Sequence, residues 1–309
     1  MIKKFNNKLL LGVFALLLVA AIVLQMINQQ PERNFRSHLA KVDTSKIDKI
    51  EIINRGGTHM FIEKAETHWN VKLNNKKARA DAQLVNSLMQ SFDNLKVKKR
   101  VGVSKEQWKK HEVTDSLGTR LKLYEDGELA ADLMIGRFSY QKRGQSYDMS
   151  TNARNYDEDE TYSIDGQLSM VVRRDFNGFR DKTLLAVDPN QVSSIEYSYP
   201  ADSSFTLAHN EEKWNIDRQQ ADSANMQEYL KNIKNMTAQN FTDAFEPNGE
   251  KIHTITVKNI SGQQYEIEAY RASEKFIMRT TQNENAVFSE SKRIFDRLFK
   301  SPSYFVKGS

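Results

Sequence analysis

The chain contains one segment twice, from Phe61 to Leu95 and, in degenerate form, from Phe205 to Met236. In each copy a strand-like run leads to a lone tryptophan and then to an aspartate that opens an amphipathic helix. The elements that follow also recur in the same order, and such self-similarity is the signature of a repeated structural unit. The pattern therefore predicts two related halves, residues 47–187 and residues 188–309.

Each half is predicted to be a meander of antiparallel strands that carries a helix. The run Ile47–Ile53 alternates apolar and polar residues, as a half-buried strand does. Apolar residues between Leu84 and Leu95 recur three and four positions apart, which places them on one helix face. Asp126-Gly127, between two further strand patterns, suits a type I′ hairpin turn. The predicted fold class is α+β, with an N-terminal transmembrane helix followed by two tandem, structurally similar antiparallel-sheet-plus-helix domains.

Four residues are predicted to be structural anchors of the repeat. An aspartate just before a helix is a preferred N-cap, because its carboxylate accepts hydrogen bonds from the first free backbone N–H groups. A large aromatic side chain that recurs at the same place in both copies is typical of core packing, although an exposed indole would suit stacking on a sugar. The predicted anchors are Trp69, Asp81, Trp214 and Asp222.

Residues 9–27 form an apolar run with one Gln and no charged residue. At about 1.5 Å per residue, the run covers most of a hydrocarbon core of about 30 Å. Lys3, Lys4 and Lys8 precede it, and the positive-inside rule keeps them in the cytoplasm. Residues 1–29 are therefore predicted to be a cytoplasmic stub with a signal anchor, and residues 30–46 a juxtamembrane linker. The predicted protein crosses the inner membrane once, with its main body in the periplasm; a cleaved signal peptide and a soluble core helix are the alternatives.

Composition and motifs exclude several classes of function. The chain has 45 basic and 40 acidic residues, interspersed, whereas a nucleic-acid-binding protein gathers its cations into a stripe. It has no cysteine, so disulfides and thiolate chemistry are excluded. The histidines lack metal-site spacing, and no phosphate-binding or nucleophile-elbow motif is present. We predict no catalytic residue, no metal and no cofactor, and we interpret Asp157–Glu160 as a solvated loop because it lacks the glycine and alternating oxygens of a calcium loop.

A basic run just after the first helix is the strongest functional candidate in the sequence. A tryptophan among lysines suits a headgroup interface, an acidic partner or an anionic glycan. The alternative is a solvated loop at a helix end, where cations complement the helix dipole. The predicted partner-binding residues are Lys98, Lys99, Arg100, Lys105, Trp108, Lys109 and Lys110.

The sequence contains an ordered set of elements: the Trp69 strand, the Ala80-Asp81 helix start, the helix end at Leu95, the hairpin that ends in Ile135-Gly136, the stretch Phe179–Leu185 and the run Val192–Glu196. In this order they resemble the bacterial domain of unknown function 4340. The resemblance extends from about residue 47 to the end of the chain. It implies a membrane-anchored exported protein, since some members are associated with ABC-type export or gliding-motility transporters as auxiliary components. The resemblance does not identify any functional residue in this sequence.

Three hypotheses of function remain open from the sequence. The first is a non-enzymatic, membrane-anchored extracytoplasmic subunit that binds a protein partner in an envelope complex, such as an ABC-type transport or motility system. The second is a module for an envelope glycan or peptide, with its groove at the seam between the halves. The third is a hydrolase with an unrecognised site, which would need two carboxylates, or a Ser and a His, to converge in a cleft.

Overall fold

The structure of the chain is a computed structural model that describes residues 17–19, 36–93, 95–201, 203–210, 213–217, 219–243, 245, 251–272 and 274–306. Most of the apolar run 9–27 lies outside these residues, and only 17–19 of it are described, as helix. In the described part of the chain, no helix is long and apolar enough to cross a membrane.

The predicted α+β class with an N-terminal transmembrane helix is wrong, because the structure is mostly antiparallel β-sheet, with 48% strand and 23% helix. The prediction of an α+β class relied on the amphipathic helix, which is a single short element in each half. The strands are more extensive than their sequence patterns indicated: residues 97–102, part of the basic run for which no strand was predicted, form a strand, and another strand continues past Ile135 to Arg143.

The first half folds into a nine-stranded sheet in which all neighbouring strands are antiparallel. The strand order across the sheet is β4-β3-β2-β1-β6-β7-β8-β9-β5. The strands are β1 Ile47–Ile53, β2 His59–Lys64, β3 Trp69–Leu73, β4 Lys76–Arg79, β5 Val97–Gly102, β6 Thr119–Glu125, β7 Glu128–Arg143, β8 Ser146–Asn155 and β9 Thr161–Asp165.

The second half forms an eight-stranded antiparallel sheet whose order, β14-β13-β12-β11-β16-β17-β18-β19, copies the first eight positions of the first sheet. β10 and β15 form a separate two-stranded sheet; β10 precedes the strands of the second sheet in sequence, and β15 lies between β14 and β16. The strands are β10 Thr183–Ala186, β11 Val192–Ser198, β12 Phe205–Asn210, β13 Lys213–Ile216, β14 Gln219–Gln220, β15 Asn235–Thr237, β16 Lys251–Asn259, β17 Gln264–Ala272, β18 Lys275–Thr280 and β19 Val287–Glu290.

One helix of three turns packs on each sheet, because its apolar stripe must be buried. The helix of the first half buries Val85, Leu88 and Phe92. Each helix contributes to the apolar core of its own half. The helices are α1 Ala82–Asp93, α2 Trp108–His111, α3 Leu168–Val172, α4 Phe176–Phe179, α5 Ser223–Ile233 and α6 Lys292–Leu298, and short 3-10 turns occupy Lys105–Gln107, Pro189–Gln191, Thr281–Asn283 and Pro302–Phe305.

Residues before β1, which we predicted to be linker, belong to the first half from residue 36 onwards. His38 forms an isolated bridge with Lys96, and the backbone N–H of Leu39 donates to the carbonyl of Leu95 at 2.8 Å. The Leu39 side chain is buried in the first core. This short strap holds the segment between α1 and β5 in place.

The segment Phe179–Leu185 ties the two halves together. Arg180 is buried at 3% exposure, and its Nη1 donates to Asp243 Oδ1 of the second half at 2.7 Å. Its guanidinium lies 3.7 Å from the ring centroid of Phe241, a cation–π contact. The strand β10 lies before the predicted boundary at 187 but pairs with β15 behind it. The connection between the halves is thus a bonded structure and not a free linker.

Candidate functional site

The predicted basic cluster lies at the β5 edge of the first sheet, where acidic residues distant in sequence neutralise much of it. Lys98 bonds Asp148 and reaches Asp165 Oδ1 at 2.9 Å. Arg100 pairs with Glu160, and Lys105 Nζ lies 3.7 Å from Asp159 Oδ1. Exposed pairs of this kind add little stability, but they do cancel the positive field that the sequence suggested.

We interpreted residues 157–160 as a solvated loop, but ion pairs hold three of these residues in place. Arg36 donates two hydrogen bonds of 2.8 Å to the Glu158 carboxylate. Burial alone would raise the pKa of Glu158, but the hydrogen bonds from Arg36 and Asn155 hold this pKa below its ordinary value. The loop is anchored by cations on three sides, because Arg100 and Lys105 reach its other carboxylates.

Trp108 is half-buried within this network instead of standing out as a contact residue. Its Nε1 donates to the carbonyl of Asp159 at 2.8 Å, and the Arg154 guanidinium lies 3.6 Å from its ring centroid. Arg154 is itself only 2% exposed, so the stack is desolvated and stabilising. Trp108 packs the acidic loop onto α2.

Three of the predicted cations remain available to a partner. Lys99, Lys109 and Lys110 are exposed, and none of them forms an ion pair with another residue that the structure describes. Lys99 lies on the edge strand β5 and borders a groove that it shares with the long hairpin formed by β7 and β8, and Lys109 and Lys110 lie on α2. The sequence-predicted site thus shrinks to a small group of free lysines at one edge.

The β7–β8 hairpin displays an apolar face that sequence analysis missed. Alternate residues of a strand point to opposite faces, so the cross-strand pairs Phe138↔Thr151 and Tyr140↔Met149 share one face with Tyr147. Tyr140 is 67% exposed and Tyr147 is 59% exposed, and their ring centroids are 6.3 Å apart. We call the accessible part of this face, with Phe138, Tyr140, Lys142, Tyr147 and Met149, the aromatic hairpin face; Thr151 lies on the same side of the hairpin but is buried.

The signal for this face was present in the sequence. Polar and apolar residues alternate through Phe138–Tyr140 and again through Ser146–Ser150, but each half of the pattern also fits an ordinary strand of a sheet. Only the pairing shows that the hairpin continues past the neighbouring strand, since β9 pairs with β8 from Ser150 onwards. The matching strands β17 and β18 of the second half have 9 and 6 residues, against 16 and 10 in β7 and β8.

The opposite face of the hairpin lines a polar groove of about 790 Å³. Hydroxyl and amide groups of Ser139, Gln141 and Ser150 line it together with Lys98 and Lys99. His111 lies at its edge, with Nδ1 3.3 Å from Asn152 Nδ2. Burial and the nearby Lys110 lower the pKa of His111, so the neutral imidazole is favoured.

The four predicted anchors contact their own halves. The Asp81 carboxylate accepts a hydrogen bond from the backbone N–H of Leu84 at 3.0 Å, and Asp222 accepts from Ala224 and Asn225 at 3.0 and 2.9 Å. Trp69 and Trp214 are half-buried, and each packs against the core of its half. The Trp214 ring also stacks on His209 at 5.0 Å.

Among the residues that the structure describes, no group of three or more His, Asp or Glu side chains is placed to hold a metal ion. Fold and surface together define a protein of two related antiparallel sheets that displays a long aromatic hairpin beside free lysines.

The chain belongs to the family described as "Domain of unknown function (DUF4340)", whose model matches residues 72–259. This match confirms the resemblance seen in the sequence. It extends from β3 of the first sheet to β16 of the second, so the family pattern spans both halves. No curated protein and no solved structure matches the chain.

Proposed function

We propose that the protein is a non-enzymatic auxiliary subunit that binds a protein partner through its aromatic hairpin face, within an envelope complex such as an ABC-type transport or motility system. The exposure of Tyr140 and Tyr147 on a hairpin longer than its counterpart carries the proposal. Contiguous exposed apolar surface of this kind marks interaction sites, and tyrosine is enriched among the residues that dominate binding energy.

The neighbouring lysines support a partner of defined chemistry. Lys99 borders the groove beside the hairpin and Lys109 and Lys110 lie on α2, all three without ion pairs among the described residues, and Lys142 lies on the aromatic hairpin face itself. A partner surface with an apolar centre and acidic groups at its rim complements this arrangement. Charges at a rim mainly increase the rate of association, whereas the buried aromatic contacts determine affinity.

The proposed location is the outer side of the cytoplasmic membrane. It is supported by the uncharged run 9–27 and by the three lysines that precede it. Those residues lie outside the described part of the chain, apart from 17–19.

Site-specific photo-crosslinking tests the partner proposal in the host cell. A photoreactive phenylalanine analogue replaces Tyr140 in one full-length chain and Ile260 in a second, because Ile260 is equally exposed at 65% but lies on the second half. We expect a defined protein adduct from position 140 and none from position 260. The same adduct at both positions, or lipid adducts only, would contradict the proposal.

The adduct from position 140 should also depend on the rest of the face. A Tyr147→Ser substitution in the crosslinking chain is expected to reduce its yield severalfold, because it removes the second exposed ring. Ile260→Ser is the matched control and should leave the yield unchanged. Neither substitution should change the free energy of unfolding by more than about 0.5 kcal/mol, since both side chains are exposed.

A second candidate, binding of an envelope glycan, is favoured by the groove on the polar face of the same hairpin. Its hydroxyl and amide groups suit a polyhydroxylated ligand, which can replace the water bonded to them. This groove is lined by residues of the first half, whereas the sequence analysis expected a groove at the seam between the halves. Co-sedimentation with isolated cell-wall polymer tests this candidate. Ser150→Leu should abolish co-sedimentation, and Ser150→Thr should preserve it.

A further inference from the structure

A cavity of about 540 Å³ opens at one end of the first sheet, distant in sequence from the β7–β8 hairpin. It lies between the turn that joins β1 to β2 and the link from α3 to α4. Its walls are largely apolar and are formed by Ile52, Met60, Leu73, Val172 and Phe176. Sites for small ligands are typically concave, mostly apolar and roughly 300–1,000 Å³ in volume.

The second half shows that this cavity is not a necessary feature of the fold. In β1, Ile52 pairs with Met60 and Leu121, and at the matching place in β11, Tyr197 pairs with Phe205 and Ile255. Two residues further along each strand, Asn54 corresponds to Tyr199, and two residues back from Leu121 and Ile255, Thr119 corresponds to His253. Four residues that line the cavity are therefore replaced by four ring-bearing residues in the second copy.

The four rings of the second half fill the equivalent space. Tyr197 and Phe205 stack with centroids 4.2 Å apart and an interplanar angle of 8°, and Tyr199 contacts the His253 ring at 4.3 Å. Phe305 closes the cluster 6.1 Å from Tyr197. We call these residues the aromatic plug. The first half keeps the same backbone frame but leaves the space open.

The rim of the cavity differs between the copies as well. The backbone N–H of Asp81 donates to the carbonyl of Phe179, and the backbone N–H of Asp222 donates to the carbonyl of Phe305. Phe179 and Phe305 therefore occupy equivalent positions in the two halves. Arg173 precedes Phe179 by as many positions as Phe299 precedes Phe305, so Arg173 of the first half corresponds to Phe299 of the second. Arg55 likewise corresponds to Pro200.

The rim carries more positive charge than it can neutralise. Arg55 and Arg173 share one carboxylate with Arg137, and their nearest contacts to Glu112 are 3.2, 3.1 and 3.3 Å. Arg174 forms no ion pair with any residue of the described ranges. Asp175 also lines the cavity, and its Oδ1 accepts from the backbone N–H of Gly178 at 2.7 Å.

We propose that this cavity binds a single-chain amphiphilic anion, with its apolar chain among Ile52, Met60 and Phe176 and its carboxylate or phosphate head at Arg55, Arg173 and Arg174. The guanidinium fork matches both head groups in geometry and charge. The apolar chain of the ligand occupies the space that the rings of the aromatic plug fill in the second half.

Calorimetric titration of the full chain tests the proposal with three probes below their aggregation limits: decanoate, decanol and decylammonium. Decanoate is expected to bind at least tenfold more tightly than decylammonium, because only its head complements the arginines. A chain carrying Ile52→Tyr, Met60→Phe and Thr119→His copies the plug and should lose this binding at least tenfold. Apolar surfaces elsewhere in the chain are unchanged in that variant, so the difference reports on the cavity.

Two further variants keep the test decisive. Met60→Phe alone copies one plug residue and serves if the triple variant does not fold, which its melting curve shows. Arg174→Gln should weaken decanoate severalfold and leave decanol unchanged. The proposal is overturned if decanoate does not bind the unchanged chain, if decylammonium binds as tightly as decanoate, or if the folded plug variants bind like the unchanged chain.

Discussion

The two halves share a strand order but place their aromatic residues in opposite ways. In the second half Tyr197 and Phe205 are buried and stack on each other, and the buried Phe305 packs against both rings at a tilt. In the first half the equivalent space is a cavity, and Tyr140 and Tyr147 stand exposed on a lengthened hairpin. The difference indicates that the second copy contributes mainly stability, whereas the first copy has the open and displayed surfaces that binding needs.

The largest effect on stability is expected from truncating a side chain of the aromatic plug. Tyr197→Ala should lower the free energy of unfolding by about 3–5 kcal/mol, because it leaves a large cavity in a packed aromatic cluster. Ile52→Ala, its counterpart, should cost only about 2 kcal/mol, since that side chain already borders open space. Denaturant unfolding of both variants measures the contrast, and equal losses would contradict the assigned difference between the halves.

The second largest effect on stability is expected from removing the ion pair that joins the two halves. Asp243→Ala should destabilise the protein by about 2–3 kcal/mol, because it leaves the buried Arg180 guanidinium without its carboxylate. Lys76→Ala is the matched control: Lys76 also contacts Asp243, at 3.1 Å, but it is exposed and should cost less than about 1 kcal/mol. Thermal melting gives both values. A change below 1 kcal/mol for Asp243→Ala would show that the halves are not coupled through this pair.

The plug should make the second half sensitive to acid. Burial among aromatic rings lowers the pKa of His253, so the unfolded chain binds the proton more readily than the folded chain. Its contribution to stability is full above the unfolded pKa of about 6.5 and declines as the pH falls below that value, by at most about 1.4 kcal/mol per unit. His253→Phe should flatten the dependence of melting temperature on pH between neutral pH and pH 5. His111, whose pKa is also lowered, should keep a residual slope, which His111→Asn should reduce further.

The smallest contrast concerns the helix caps. Asp222→Ala should cost about 1–2 kcal/mol and Asp81→Ala about 0.5–1 kcal/mol. The order follows from the hydrogen bonds, because Asp222 accepts two backbone N–H groups and Asp81 accepts one. Urea unfolding of both variants, with Asp→Asn at each site as the conservative control, checks the order. A larger loss at Asp81 would contradict it.

Local features of this fold could be predicted from the sequence because they depend on neighbouring residues. Both aspartates lie where a cap was expected, and Asp126 and Gly127 have the positive φ angles, 49° and 86°, of a type I′ turn. The recurrence of elements also anticipated the common strand order of the two sheets. Each of these signals is carried by spacing within a few residues or by direct internal comparison.

The rest depended on contacts between residues far apart in sequence. The basic cluster and the acidic loop looked like separate surface features, but Arg100 lies on β5 and Glu160 directly precedes β9, the strand that pairs with β5 at the sheet edge. The cavity was hidden for a related reason, because Ile52, Met60 and Thr119 look like ordinary strand residues until the register aligns them with Tyr197, Phe205 and His253. Volume differences between copies become visible only when the pairing is known.

The bonded connection between the halves has a consequence for how the repeat can be divided. A chain cut after Val187 would carry β10 without β15 and a buried guanidinium without Asp243, although residues 47–187 contain a complete copy of the strand pattern. Leu184 and Leu185 of β10 lie in the apolar core of the second half, so the second half begins before the predicted boundary at 187, and the pair of Arg180 with Asp243 joins the halves. A protease should therefore find no early cleavage site between Phe179 and Gln191, at the centre of the chain where a tandem repeat would normally be most open to cleavage.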